Sequence, residues 1–182
     1  MIPLASAPAR PSYVVPAVVS AVLGAAAGLI WGLTVPGIRG VVTNSGDVLV
    51  RQGQLDNFFI GTAAFVGISV VGGLLTAAAL FRSPRRTPEW VAVTLAAAAF
   101  SVAIAAVLGQ AVADARFAGP GGAGLDYTSA PTIRLDGANF FEVANHPGGL
   151  VGVLASWVVV LVWPAITALW CGLAAAFARR LP

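Results

Sequence analysis

Acid–base or metal chemistry in this chain would have to come from a handful of side chains. Gln110 and Asp114 lie four residues apart, Glu142, Asn145 and His146 fall within one short stretch, and Asp56 stands further upstream. A histidine beside carboxylates has the ingredients of general acid–base work or of a weak metal site. A transition-metal site, however, wants three or four ligands at defined spacing, and no such pattern occurs. There is also no Ser-His-Asp order, P-loop, His-Glu-x-x-His motif or dinucleotide fingerprint. The plainer reading is that these groups cap helices and satisfy loop backbone. Asn145 or His146, just ahead of Pro147-Gly148-Gly149, is suited to marking a helix start. The expectation is therefore a protein that is not an enzyme and carries no cofactor or metal.

The elements that would position these residues are four long apolar runs, at roughly Val14–Val35, Phe58–Phe81, Trp90–Ala113 and Gly149–Ala178. A helix rises about 1.5 Å per residue and a hydrocarbon core is about 30 Å thick, so about 20 apolar residues cross it. Each run reaches that length without a charge in its middle, which leaves a proton or ion route through this chain alone without carriers. The composition agrees, with 58% hydrophobic and only 9% charged residues and a mean hydropathy of +0.89. The expected fold is an all-α integral membrane protein: one domain over residues 1–182, four transmembrane helices in two hairpins, and small β-containing outer loops at 36–57 and 114–148. The first run is longer than the apolar region of a cleaved signal peptide, so it is expected to stay as a helix.

A net charge of +3 does not point to nucleic acid once the charges are placed. Arg10, Arg82, Arg85, Arg86, Arg179 and Arg180 fall on segments that share one side of the membrane. The other side carries Arg39, Arg51, Arg116 and Arg134 together with Asp47, Asp56, Asp114, Asp126, Asp136 and Glu142. The positive-inside rule then places both termini in the cytoplasm. Cys171 lies deep in the last run and reads as a small packing residue.

Both outer loops have room for strands. Val41–Val50 reads as two β-branched stretches around an Asn-Ser-Gly turn, a hairpin signal, and Thr132–Leu135 as a third short strand. Isolated hairpins are marginal, so these strands should pair with one another or lie on another protein. The loops also share a motif. Leu55-Asp-Asn-Phe-Phe59 enters the second span, and Leu135-Asp-Gly-Ala-Asn-Phe-Phe141 approaches the fourth. If the echo is real, the two hairpins are parallel repeats about an axis along the membrane normal.

Helices associate in lipid through close backbone approach, which needs small residues four apart. The first span offers Gly24, Gly28 and Gly32, the second Ser69, Gly73 and Ala77, and the third Ala97, Ser101, Ala105, Gly109 and Ala113. Some tracks should join the four helices, and spare ones would dock a partner. Trp31 and Pro36 read as markers of the outer interface. In the long fourth span, Pro164 should kink the helix by removing the bond to the Val160 carbonyl, and the tryptophans there should fill uneven packing surfaces.

Around Gln54-Leu-Asp-Asn-Phe-Phe-Ile-Gly61, and through the Ala-rich third span ending Val107-Leu-Gly-Gln110, the chain resembles a group of small four-span membrane proteins of unknown function from mycobacteria and related actinobacteria. Proteins of this sort are similar to accessory subunits of Mce lipid-import assemblies, in which a periplasmic ring sits above permease subunits driven by an ATPase. The resemblance implies a non-catalytic accessory or stabilising subunit that packs beside the permease and touches the ring, with membrane lipids as its other partners. The candidate partner contacts are Gly24, Gly28, Gly32, Asp47, Arg51, Asp56 and Phe58. The alternative is an independent small membrane transporter or lipid-binding protein.

Overall fold

The computed structural model describes residues 13–42, 48–50, 52–82, 87–117, 126–135 and 157–178. In chain order these form α1 (Val14–Thr34), β1 (Ile38–Val42), β2 (Val48–Val50), α2 (Gln52–Leu80), α3 (Pro88–Arg116), β3 (Asp126–Ser129), a short 3-10 helix (Val158–Leu161) and α4 (Val162–Ala178). Four helical segments, Val14–Thr34, Asp56–Leu80, Pro88–Arg116 and Val158–Phe177, are long and apolar enough to cross a membrane. That is compatible with a multi-pass membrane protein. The expected start of the fourth span, 149–156, lies outside the described residues.

Local chemistry sets several helix ends. The Thr87 side chain accepts the Trp90 amide at 3.3 Å, Pro88 follows in the first turn, and Arg116 sits in the last turn of α3. Each suits its position: a hydroxyl cap and a proline where helix amides lack partners, and a cation at the negative end of the dipole. At Pro164, where a kink is expected, the described helix changes from a 3-10 to an α-helical segment. The proline occupies the first turn of α4, directly after the 3-10 segment, where a missing amide hydrogen leaves no intrahelical bond unmade.

Packing does not follow the order of the chain. Glycines 24, 28 and 32 of α1 meet Ser101, Ala105 and Gly109 of α3 in ascending order, so these two helices run parallel at close range. Against α2 the order descends, with Val35 beside Gly61 and Trp31 on Phe65, so α1 and α2 are antiparallel. Among the described residues the most extensive helix contacts are α1 with α3 and α2 with α4. Trp31, Phe65, Val102 and Trp163 lie in the shared core.

Buried hydroxyls are mostly satisfied within their own helices. Ser20, Thr76, Thr94, Ser101 and Thr167 each donate to the carbonyl four residues back, at 2.7–3.0 Å. This removes the penalty of a free polar group in an apolar interior. Ser69 is buried, and its hydroxyl has no partner among the described residues.

At one end of the bundle the strands form a three-stranded antiparallel sheet in the order β2-β1-β3. The expected hairpin is present, with Val41 opposite Leu49, while its turn at 43–47 lies outside the described residues. The third strand is Asp126–Ser129, not Thr132–Leu135. The physical reason is visible in the displaced segment. Pro131 and Ile133 are buried against the helices, a demand on apolar side chains that outweighs the β-propensity of Thr132-Ile133.

Candidate functional site

Of the residues with chemical potential, Gln110 and Asp114 stand where the sheet meets the helix ends, and together with Gln54, Asn57 and Thr62 they act there as fasteners. From α2, Asn57 Nδ2 donates to the Gly37 carbonyl at 2.9 Å and to Gln54 Oε1 at 3.3 Å. Gln54 Oε1 also accepts the Arg39 amide at 3.2 Å, which ties β1 to the start of α2. Thr62 Oγ1 reaches the carbonyls of Phe58 and Thr132 at 3.3 and 3.5 Å. From α3, Gln110 Nε2 donates to Asp114 Oδ1 at 2.9 Å and to the Pro131 carbonyl at 3.4 Å, while its Oε1 accepts the Ile133 amide at 3.4 Å. Gln110 thus holds the 130–135 segment over the mouth of the bundle, and Asp114 braces Gln110.

Arg116 closes the same end of α1. Its Nη1 donates to the Gly32 carbonyl at 2.6 Å and to that of Val35 at 3.3 Å. The last carbonyls of a helix have no partner of their own, so a cation from the neighbouring helix caps them and meets the negative end of the dipole. The Phe117 ring lies 4.9 Å from the same guanidinium and packs on Gly37, where a side chain would collide with it. Arg134 lies 5.5 Å above the half-exposed Trp157 ring.

Below the cap, the two principal helix pairs are built differently. A Cβ added at Gly28 would lie 2.8 Å from the Ala105 carbonyl oxygen, and one at Gly32 2.7 Å from that of Gly109. At Gly24 it would collide with the Ser101 carbonyl. Between α2 and α4 the indole N–H of buried Trp163 donates to Thr76 Oγ1 at 3.0 Å, and the Thr167 hydroxyl shares its one proton between the Gly73 carbonyl at 3.1 Å and the Trp163 carbonyl of its own helix at 3.0 Å. Trp31 is not an interfacial marker. It is fully buried, edge-on to Phe65 at 6.0 Å, and donates to the Gly61 carbonyl at 2.7 Å, a use that relieves the polar cost of burying indole.

The sequence-derived candidates separate accordingly. Gly24, Gly28 and Gly32 all face α3 of the same chain, so a partner helix would have to displace α3 to reach them. Asp56 is exposed and Phe58 half-buried near the start of α2. Asp47, Arg51, Asp136, Glu142, Asn145 and His146 lie outside the described residues, as does most of the second Leu-Asp…Asn-Phe-Phe copy. Among the described residues no group of three His, Cys, Asp or Glu side chains is placed to hold a metal ion. Gln54, Asn57 and Arg116 carry contacts that local sequence does not announce, because their partners are backbone groups 15 to 84 residues away. No protein-family model, curated protein or solved structure matches the chain.

Proposed function

We propose that this protein is a non-catalytic accessory or stabilising subunit of a multi-protein envelope lipid-transport complex of the Mce type, docked beside its permease and touching the periplasmic ring. Both termini then lie in the cytoplasm of the bacterial plasma membrane, as the arginine distribution favours, and the sheet faces outward. The observation that carries the reading is the outer face of that sheet. Val41 and Leu49 sit directly opposite each other on neighbouring strands and are 55% and 65% exposed. A pair of apolar side chains held out on a three-stranded sheet is a surface that a protein partner would cover. Two further features favour a docking role over chemistry. Among the described residues, Gln54, Asn57 and Gln110 are engaged in holding the sheet and the 130–135 segment to the helices, and the resemblance along Gln54–Gly61 falls on residues that make this attachment.

The test is to purify the endogenously expressed, tagged protein in mild detergent and identify stoichiometric partners by mass spectrometry. Recovery of permease, ATPase and ring subunits is expected, and the Val41→Asp, Leu49→Asp double variant should lose the ring subunits while still inserting in the membrane. Recovery of a lone, stable protein, under conditions that keep other membrane complexes together, would overturn the proposal and favour independent transport or lipid binding.

A further inference from the structure

A recess of about 300 Å³ opens between α1 and α2. Leu23 and Ile30 line one wall, and Gly67, Val71 and Leu75 the other. Its floor is the buried Trp163 ring, contributed by α4 and seated on Gly72, where a Cβ would collide with it. Gly67 keeps the recess open, since no atom lies within 4 Å of where its Cβ would be.

Chemistry and shape restrict what can occupy it. Every lining residue is apolar or glycine, and the Trp163 indole N–H at its floor is already donated to Thr76. A polar ligand or headgroup would lose its hydration there without a partner. The walls run from Leu23 to Ile30 and from Gly67 to Leu75, about 12 Å at about 1.5 Å per residue. A volume of about 300 Å³ over that length leaves a mean cross-section of about 25 Å². A bore of that section is about 6 Å wide and an α-helix with its side chains about 10 Å across, so a partner helix is too wide to enter, whereas one extended hydrocarbon chain fits. The recess lies within segments long and apolar enough to cross a membrane, so its open side continues into bilayer hydrocarbon.

We propose that this recess is a binding site for a single acyl chain of a membrane phospholipid, inserted sideways between α1 and α2 until it meets Trp163. The site is independent of the docking role, because its lining belongs wholly to this chain. The outer face of α3 around Ala103, Val107 and Ala111 supplies the contrast. It is equally apolar but walled by one helix only, so chains there exchange freely with the bilayer.

The full chain would be reconstituted in vesicles of phosphatidylethanolamine and phosphatidylglycerol doped with phosphatidylglycerol bearing a diazirine on its acyl chain, then photolysed and mapped by mass spectrometry. Crosslinks should concentrate on peptides 23–30 and 67–75 over peptide 103–111. Gly67→Phe, which fills the recess, should lower the first set at least about tenfold, equivalent to about 1.4 kcal/mol of affinity, and leave the α3 set unchanged. Equal labelling of both faces would overturn the proposal. So would recess labelling below that of α3, which would mean that protein covers it, or recess labelling that survives Gly67→Phe. If that variant fails to fold, the same comparison is read from Val71→Phe on the exposed rim, where persistence of recess labelling overturns the site.

Discussion

The α1–α3 seam and the α2–α4 seam solve the same problem by opposite means. In lipid, burial of apolar surface between helices is a weak drive, so association rests on close packing and on hydrogen bonds. At α1–α3 the side chains are nearly removed. Gly24, Gly28 and Gly32 let the backbone of α1 lie on the carbonyls of Ser101, Ala105 and Gly109, and the Ser101 hydroxyl bonds within its own helix. At α2–α4 the large Trp163 ring lies against Gly72, and two side-chain donors cross the interface. One seam is limited by volume and the other depends on specific donors. The first tolerates no added atom, while the second should tolerate exchanges of shape but respond to loss of a donor.

Substitution at Gly28 is the harshest test of that contrast. Gly28→Leu places its Cβ against the Ala105 carbonyl, which belongs to helix backbone and cannot swing aside. The expected loss is about 3 kcal/mol or more, at or beyond the upper end for overpacking, read as destabilisation in detergent unfolding titrations, with Gly28→Ala intermediate. Near-wild-type stability for Gly28→Leu would show that the seam is looser than backbone contact. Trp163→Phe deletes both the donor to Thr76 and the outer ring carbons that pack on Gly72, and should cost about 2 kcal/mol. Thr167→Val deletes the bond to the Gly73 carbonyl at nearly constant volume, with an expected cost of about 0.6 kcal/mol, the usual size for such bonds in membranes. If Trp163→Phe and Thr167→Val are both neutral, the second seam does not depend on these donors and the contrast collapses.

How much of this was legible in the sequence depended on the range of the interaction. The four spans follow from run length because bilayer thickness acts directly on helix length. The glycine track was visible, since residues four apart must share a face. Its partner was not, because spacing names a face and never what lies opposite. Trp31 was misread for a related reason: an indole with one polar atom suits a membrane interface, but also a buried site where a carbonyl is free, and Gly61 supplies one. The third strand moved because Ile133 and Pro131 were needed as a plug between the helices, a tertiary demand absent from local propensity. The motif Gln54–Gly61 drew notice as a pattern, yet its purpose appears only when Gln54 and Asn57 meet β1 and the Gly37 carbonyl across the intervening loop.

The smallest expected effect lies at the far end of the α1–α3 seam, where two side chains meet at the helix entrances. Tyr13, at the entrance of α1, donates its hydroxyl to Glu89 Oε1 at 3.3 Å in the first turn of α3. Partial burial first, then the hydrogen bond to Glu89 and the charge of its carboxylate, push the phenol above its usual value. The folded state therefore favours the neutral phenol. Its stabilising contribution is complete below the unfolded value of about 10 and is lost as pH rises through the higher folded value. Tyr13→Phe should accordingly leave the seam almost unchanged at neutral pH, because a half-exposed pair contributes little, and should flatten the alkaline fall in stability. Ultraviolet difference titration of phenolate formation in the wild type against Tyr13→Phe reads the shift directly, and Glu89→Gln should bring it back toward the ordinary tyrosine value. An unshifted titration would mean that the seam ends at Gly24 and that the helix entrances do not clasp.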